Sequence, residues 1–89
     1  MEIEVKRLTE EEIERRGIRS WPVWTCGVER FPWTYEKDEE CLILEGRVIV
    51  ETSDGKKVEI KAGDFVKFPR GLSCVWDVTH PIRKHYSLG

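Results

Sequence analysis

The 89-residue chain contains no Asn and no Gln, and its single Met is Met1. No apolar stretch approaches the ~18 residues of a membrane-spanning helix. The opening Met-Glu-Ile-Glu-Val-Lys lacks the basic, apolar and small-residue segments of a secretory signal. A basic block is missing as well: 15 Lys and Arg stand against 17 Asp and Glu, for a formal net charge of −2. Nucleic-acid affinity rests on phosphate neutralisation, so this balance argues against such a partner. The expectation is a small, soluble, cytoplasmic protein of one domain, residues 1–89, with neither nucleic-acid nor membrane partners.

Metal and disulfide chemistry are poorly supplied. The three cysteines, Cys26, Cys41 and Cys74, form no Cys-x-x-Cys, and the two histidines, His80 and His85, both lie near the C-terminus. That spacing excludes a zinc-type ligand set. An odd cysteine count argues against a disulfide framework. It leaves a lone Cys41–Cys74 bridge, which thermophile cytoplasm tolerates, or free thiols, which the sequence favours.

What is present is charge and tryptophan. Charged residues make up 36% of the chain, against roughly 25% in an average protein. Enrichment in Glu, Lys and Arg beside depletion of thermolabile side chains is a hyperthermophile pattern. Four Trp (Trp21, Trp24, Trp33, Trp76) are many for this length. Each brings a large apolar area and one N–H that needs a partner.

Residues 2–7 alternate as a half-buried strand does, with Ile3 and Val5 on one face. Thr9-Glu-Glu-Glu12 is a capping-box pattern, and Arg15-Arg16-Gly17 suits a helix end, so a short helix is expected over 10–16. Beyond it the signal is all-β. Strand-like runs fall at Val23–Cys26, Phe31–Tyr35, Glu40–Leu44, Arg47–Thr52, Lys56–Ile60, Phe65–Phe68, Ser73–Val78 and Ile82–Leu88. Breaks separate them, among them Glu45-Gly46, Asp54-Gly55 and His80-Pro81, the first two reading as tight hairpin turns. Seven or eight short strands with no second helix suggest a barrel or a two-sheet jelly roll.

Two spaced frames sharpen that expectation. Gly27-x5-Trp33-x-Tyr35-x3-Glu39-x6-Gly46 resembles the first motif of the cupin family, and Gly63-x5-Pro69-x-Gly71-x2-Cys74 resembles the second. The resemblance covers residues 21–89, with 1–20 as an N-terminal strand and helix. It implies a cupin-type jelly-roll β-barrel, commonly a homodimer, closest to the ureidoglycine aminohydrolase and ethanolamine-utilisation cupins. Typical cupins hold a divalent metal through three His and one Glu. Trp33, Tyr35 and Cys74 stand at the histidine positions here, and only Glu39 matches. An indole offers no ligand lone pair, and a neutral phenol with a lone thiol makes an incomplete site. The expectation is therefore no metal and no cofactor.

The two-residue strand period groups the side chains around those positions. Glu39 shares a face with Cys41 and Ile43, Cys74 with Trp76 and Val78, and Trp24 with Cys26. On the tail, Ile82, Lys84, Tyr86 and Leu88 share one face, leaving His85 on the other. Glu39, Lys84, Tyr35 and Cys74 become the candidate catalytic residues. Trp24, Cys26, Trp33, Cys41, Trp76 and Tyr86 become the candidate ligand-binding residues. Each has a plainer role: the aromatics as core filling, the thiols as inert buried groups, Glu39 as a strand-end cap. Still, a carboxylate and an ammonium on inward faces of a small barrel are costly unless paired or wet. An inward Glu39–Lys84 pair is thus the sharpest functional feature.

The leading expectation is a metal-independent cupin enzyme, or enzyme-like protein, acting on a small polar metabolite related to ureides or amines. Glu39 and Lys84 would serve as acid and base, with Tyr35 and Cys74 orienting the substrate. The alternatives are a non-catalytic small-molecule-binding module with a Trp-rich pocket for a planar or cationic ligand, and a structural barrel filled by its own side chains.

Overall fold

The computed structural model describes residues 2–89; Met1, where the expected domain starts, lies outside the described residues. The elements follow in the order β1 (Glu4–Lys6), α1 (Glu10–Arg15), a 3₁₀ turn (Ile18–Ser20), β2 (Val23–Cys26), β3 (Arg30–Thr34), β4 (Glu39–Thr52), β5 (Lys57–Lys61), β6 (Phe65–Phe68) and β7 (Ser73–Leu88). All the strand pairings are antiparallel. The chain is all-β apart from α1 and the 3₁₀ turn, as the cupin jelly-roll reading expects.

Two long strands organise the barrel. β4 and β7 pair along nearly their whole length, from Glu39↔Leu88 to Thr52↔Cys74. The first half of β4 also pairs with β6 and its second half with β5, while β7 pairs first with β3 and then with β2. One end of the β4–β7 ribbon therefore belongs to the run β1-β6-β4-β7-β2, and the other end carries β5 and β3 at its sides. Inward residues of both ends meet in one apolar cluster that includes Cys41, Ile43, Val48, Val50, Phe68, Cys74, Trp76, Val78 and Ile82.

The breaks expected at Glu45-Gly46 and His80-Pro81 do not end strands. They lie opposite each other, and the register shifts between Ile43, Glu45, Arg47 and Val48 show a bulged bend through which both strands continue. Gly46 has φ 97°, and a Cβ there would run into the carbonyl group of Pro81. Only glycine allows that positive φ and that approach. Pro81 lacks a ladder N–H and is tolerated at such a bulge. Four expected strands are thus two bent ones.

The N-terminal helix forms as expected. Thr9 Oγ1 accepts from the Glu12 amide at 3.2 Å, and Glu12 Oε1 accepts from the Thr9 amide at 3.2 Å, completing the capping box. Its apolar residue Ile13 packs with Ile18, Leu42, Phe65 and Trp21 in a second cluster, outside the main one. β1 is shorter than expected, and all three of its residues are exposed; it covers the β6 edge, while Ile3 alone packs on the main core. Among the described residues, no helix is long and apolar enough to cross a membrane.

Candidate functional site

A cavity of about 730 Å³ opens beside the main cluster. That is within the size range of small-molecule sites. β3 contributes Phe31, Pro32, Trp33 and Thr34, and Tyr35, Glu36 and Lys37 follow in the turn to β4. β2 supplies Trp24, β4 supplies Glu39, and β7 supplies Trp76, Lys84, Tyr86 and Leu88.

Sequence parity places Glu39 and Lys84 on the same wall, and they meet. Lys84 Nζ donates to Glu39 Oε2 at 2.7 Å, with the residues only 6% and 7% exposed. The ammonium also lies 4.9 Å from the Trp24 ring centroid and 4.6 Å from that of Trp76. These two indoles meet edge to face, with centroids 6.0 Å apart. Lys84 is therefore held by one carboxylate and two π faces, each of which favours its charge. The register Trp24↔Lys84 and Ile43↔Lys84 explains how: β7 carries Lys84 between β2 and β4.

Tyr35 is fixed from three sides. Its backbone amide donates to Leu72 O at 2.9 Å, and the Gly71 amide donates to Tyr35 O at 2.7 Å, joining the two glycine-framed motifs. Its ring stacks on Phe68 at 4.7 Å, and its hydroxyl accepts from Trp76 Nε1 at 3.1 Å. Burial first, and then the nearby Glu39 carboxylate, push the phenol well above its ordinary range, so it remains a neutral donor. Trp33 is different: 52% exposed, it stands edge to face with Tyr35 on the cavity lining, to which Leu88, itself 54% exposed, also contributes.

The thiols do not join the site. All three are free, which settles the bridge alternative. None of them lines the cavity. Cys41 is fully buried in the core and its thiol is pushed up to about 12, chiefly by burial. Cys74 turns its Sγ to the Trp33 carbonyl at 3.6 Å, and burial pushes its thiol up to about 11. Cys26 donates to Gly27 O and to Glu29 Oε1, and burial and then that carboxylate raise it to about 11. Protonated thiols of this kind are poor nucleophiles and poor ligands. Cys74, expected to orient a substrate, and Cys26 and Cys41, expected to bind one, thus lie outside the cavity lining.

Other residues emerge that were not singled out. Phe31 shares strand parity with Trp33 and Tyr35 and stacks on Trp76 at 6.2 Å, a signal available in the alternation. Glu36 and Lys37 reach the cavity through a turn, where no periodicity marks them. Trp21 lies apart, against the helix cluster, and His85 Nδ1 lies 2.9 Å from the Trp21 carbonyl oxygen.

The donor set does not fit the divalent metal of typical cupins. Glu39 is bonded to Lys84, the Tyr35 phenol is held neutral, the Cys74 thiol faces a carbonyl, and Trp33 has no ligand lone pair. Among the described residues, no group of three or more His, Cys, Asp or Glu is arranged to hold a metal ion. A cation already stands on Glu39, and it is the chain's own.

The EutQ-like cupin domain matches residues 13–86. The chain belongs to the EutQ-like cupin family. A DUF861-family protein of Thermotoga maritima is 45% identical with a TM-score of 0.97, the match covering 99% of this chain and 100% of that one. An ethanolamine-utilisation protein Q from Salmonella typhimurium is 26% identical with a TM-score of 0.68, over 97% of this cupin and 68% of that chain. The EutQ protein of Clostridium difficile shares the fold, with 22% identity and a TM-score of 0.69, over 97% of this chain and 66% of the other. This cupin thus spans about two thirds of either EutQ protein. No curated protein sequence matches it.

Proposed function

We propose that this cupin binds and acts on a small polar metabolite in the cavity without a divalent metal, Lys84 supplying the positive charge that a metal supplies elsewhere. The observation that carries the reading is the buried 2.7 Å contact of Lys84 with Glu39 on the wall of a 730 Å³ cavity. A charge pair taken out of water loses hydration that its mutual attraction only partly repays, so its place on a cavity wall supports a functional role over a purely stabilising one. Glu39 and Lys84 act as proton acceptor and donor, Tyr35 orients the substrate through its hydroxyl, and Trp24, Trp33, Trp76 and Tyr86 exclude water.

The Salmonella typhimurium relative is named for ethanolamine utilisation, which puts small amines, together with ureides, first among compounds to test. A thermal-shift screen with ureides, amines, amino acids and small carboxylates, followed by turnover assays on any compound that stabilises the fold, tests the proposal. Loss of turnover in Glu39→Gln is expected. Unchanged turnover would remove Glu39 from the mechanism.

Capture without turnover is the second reading, favoured by the exposed Trp33 and Leu88 on the cavity lining. Lys84 already fills the space between Trp24 and Trp76, so those indoles have no room for a ligand cation, and a planar ligand at Trp33 suits the geometry better. The glutamate-, lysine- and arginine-rich surface and the Thermotoga relative support a thermophilic protein. A homodimer is the state the cupin resemblance suggests, with the cytoplasm its expected location, and size-exclusion chromatography with light scattering tests the assembly.

A further inference from the structure

The geometry points to a specific reaction class: proton transfer at a carbon next to a carbonyl group, with Glu39 Oε1 as the base and the Tyr35 hydroxyl as donor to the carbonyl oxygen. The inference rests on the reading of the cavity as a functional site. It comes from what the site leaves unused. Glu39 spends Oε2 on Lys84, and among the described residues Oε1 receives no hydrogen bond although the residue is buried and lines the cavity. The Tyr35 oxygen accepts from Trp76 Nε1, which fixes its orientation, and among the described residues no acceptor takes its own proton. The site therefore presents one free acceptor and one free donor, both on rigid supports, with Lys84 between them in the chain of contacts Tyr35–Trp76–Lys84–Glu39.

The charges balance for this step. At rest Glu39 and Lys84 neutralise each other. The α C–H bond breaks, its proton forms an O–H bond on Glu39 Oε1, and the C–H electron pair becomes the new C=C bond. The carbonyl π pair moves onto oxygen, which accepts from Tyr35. Glu39 is then neutral, and the Lys84 charge is balanced by the enolate instead. The net charge in the cavity never changes, which a site shielded from water requires. When the proton held on Glu39 swaps with solvent before it returns to the α carbon, that carbon is labelled, and in a β,γ-unsaturated carbonyl compound its return to the γ carbon gives the conjugated isomer. No oxidant or further reactant is needed. The substrate class is a small carbonyl compound with an acidic α C–H, and a planar or apolar substituent would lie against Trp33 and Leu88 on the cavity lining.

Phenylacetone in D2O at neutral pD is a suitable probe, with binding read from tryptophan fluorescence and exchange from loss of the methylene signal in proton NMR. The wild-type protein should bind it and deuterate the methylene at least about tenfold faster than buffer. Glu39→Gln should keep binding and fall to the buffer rate, and Tyr35→Phe, which leaves the charge pair intact, should keep binding and lose most of the wild-type excess over the buffer rate. Binding without exchange above buffer, or exchange that survives in both variants, would overturn the reaction class alone. A fluorescence signal that responds to neither phenylacetone nor the keto acid phenylpyruvate would overturn it together with the reading of the cavity.

Discussion

Lys84 and Glu39, 45 residues apart in sequence, are joined at 2.7 Å inside the barrel, and two tryptophans close over the ammonium. Surface ion pairs are worth little. This chain has many of them, such as Arg15–Glu11 and Lys56–Glu2, with both partners largely exposed. The Lys84–Glu39 pair differs because both partners are desolvated, so neither can lose the other cheaply.

That asymmetry gives a stability prediction. Lys84→Met strands a buried carboxylate and should cost roughly 3–5 kcal/mol, while the double variant Glu39→Leu/Lys84→Met should cost much less than the sum of its single changes. Urea unfolding of the four proteins measures the coupling. Simple additivity would show that the pair is as wet as those on the surface.

Alkaline pH should destabilise the fold. Burial raises Cys41 from the ordinary 9.0 to about 12 and Cys74 to about 11, and burial followed by Glu39 raises Tyr35 above its ordinary 10.0. The unfolded chain releases these protons first, so between about pH 9 and 12 the folded state holds more protons and stability falls as pH rises. Thermal midpoints should be insensitive to these groups below about pH 8.5 and should decline above it. A midpoint that rises through this window would contradict the burial of the three groups.

At the bend, Gly46→Ala should be strongly destabilising for two reasons, the positive φ of 97° and the collision of its Cβ with the Pro81 carbonyl. A loss of about 2 kcal/mol or more is expected in denaturant unfolding. Gly55→Ala, with φ 86° but open space around it, should lose less. Equal losses would show that backbone conformation, and not the close approach of β4 and β7, dominates at Gly46.

Much of this architecture was legible in the residues because alternation and glycine spacing are local signals. β2 and β6 fall where the apolar runs place them, and Glu39, Lys84, Trp24 and Trp76 share an interior because strand parity survives folding. The bend at Gly46 and Pro81 was not legible. Glycine and proline mark a turn and a bulge alike, and only the facing strand decides between them. The orientation of the cysteines was not legible for a related reason. Cys74 occupies a ligand position in the motif frame, but its Sγ turns to the Trp33 carbonyl, a choice of rotamer that spacing does not encode. Exposure of Trp33 was likewise hidden, since an exposed aromatic and one in a core look the same in sequence.

Whether Lys84 takes the place of a metal on Glu39 is read by elemental analysis of the protein purified without chelators. Far less than one equivalent of Mn, Fe, Ni or Zn per chain is expected. One equivalent of any of them, bound by the wild-type cavity and released on Glu39→Gln substitution, would contradict that role of Lys84.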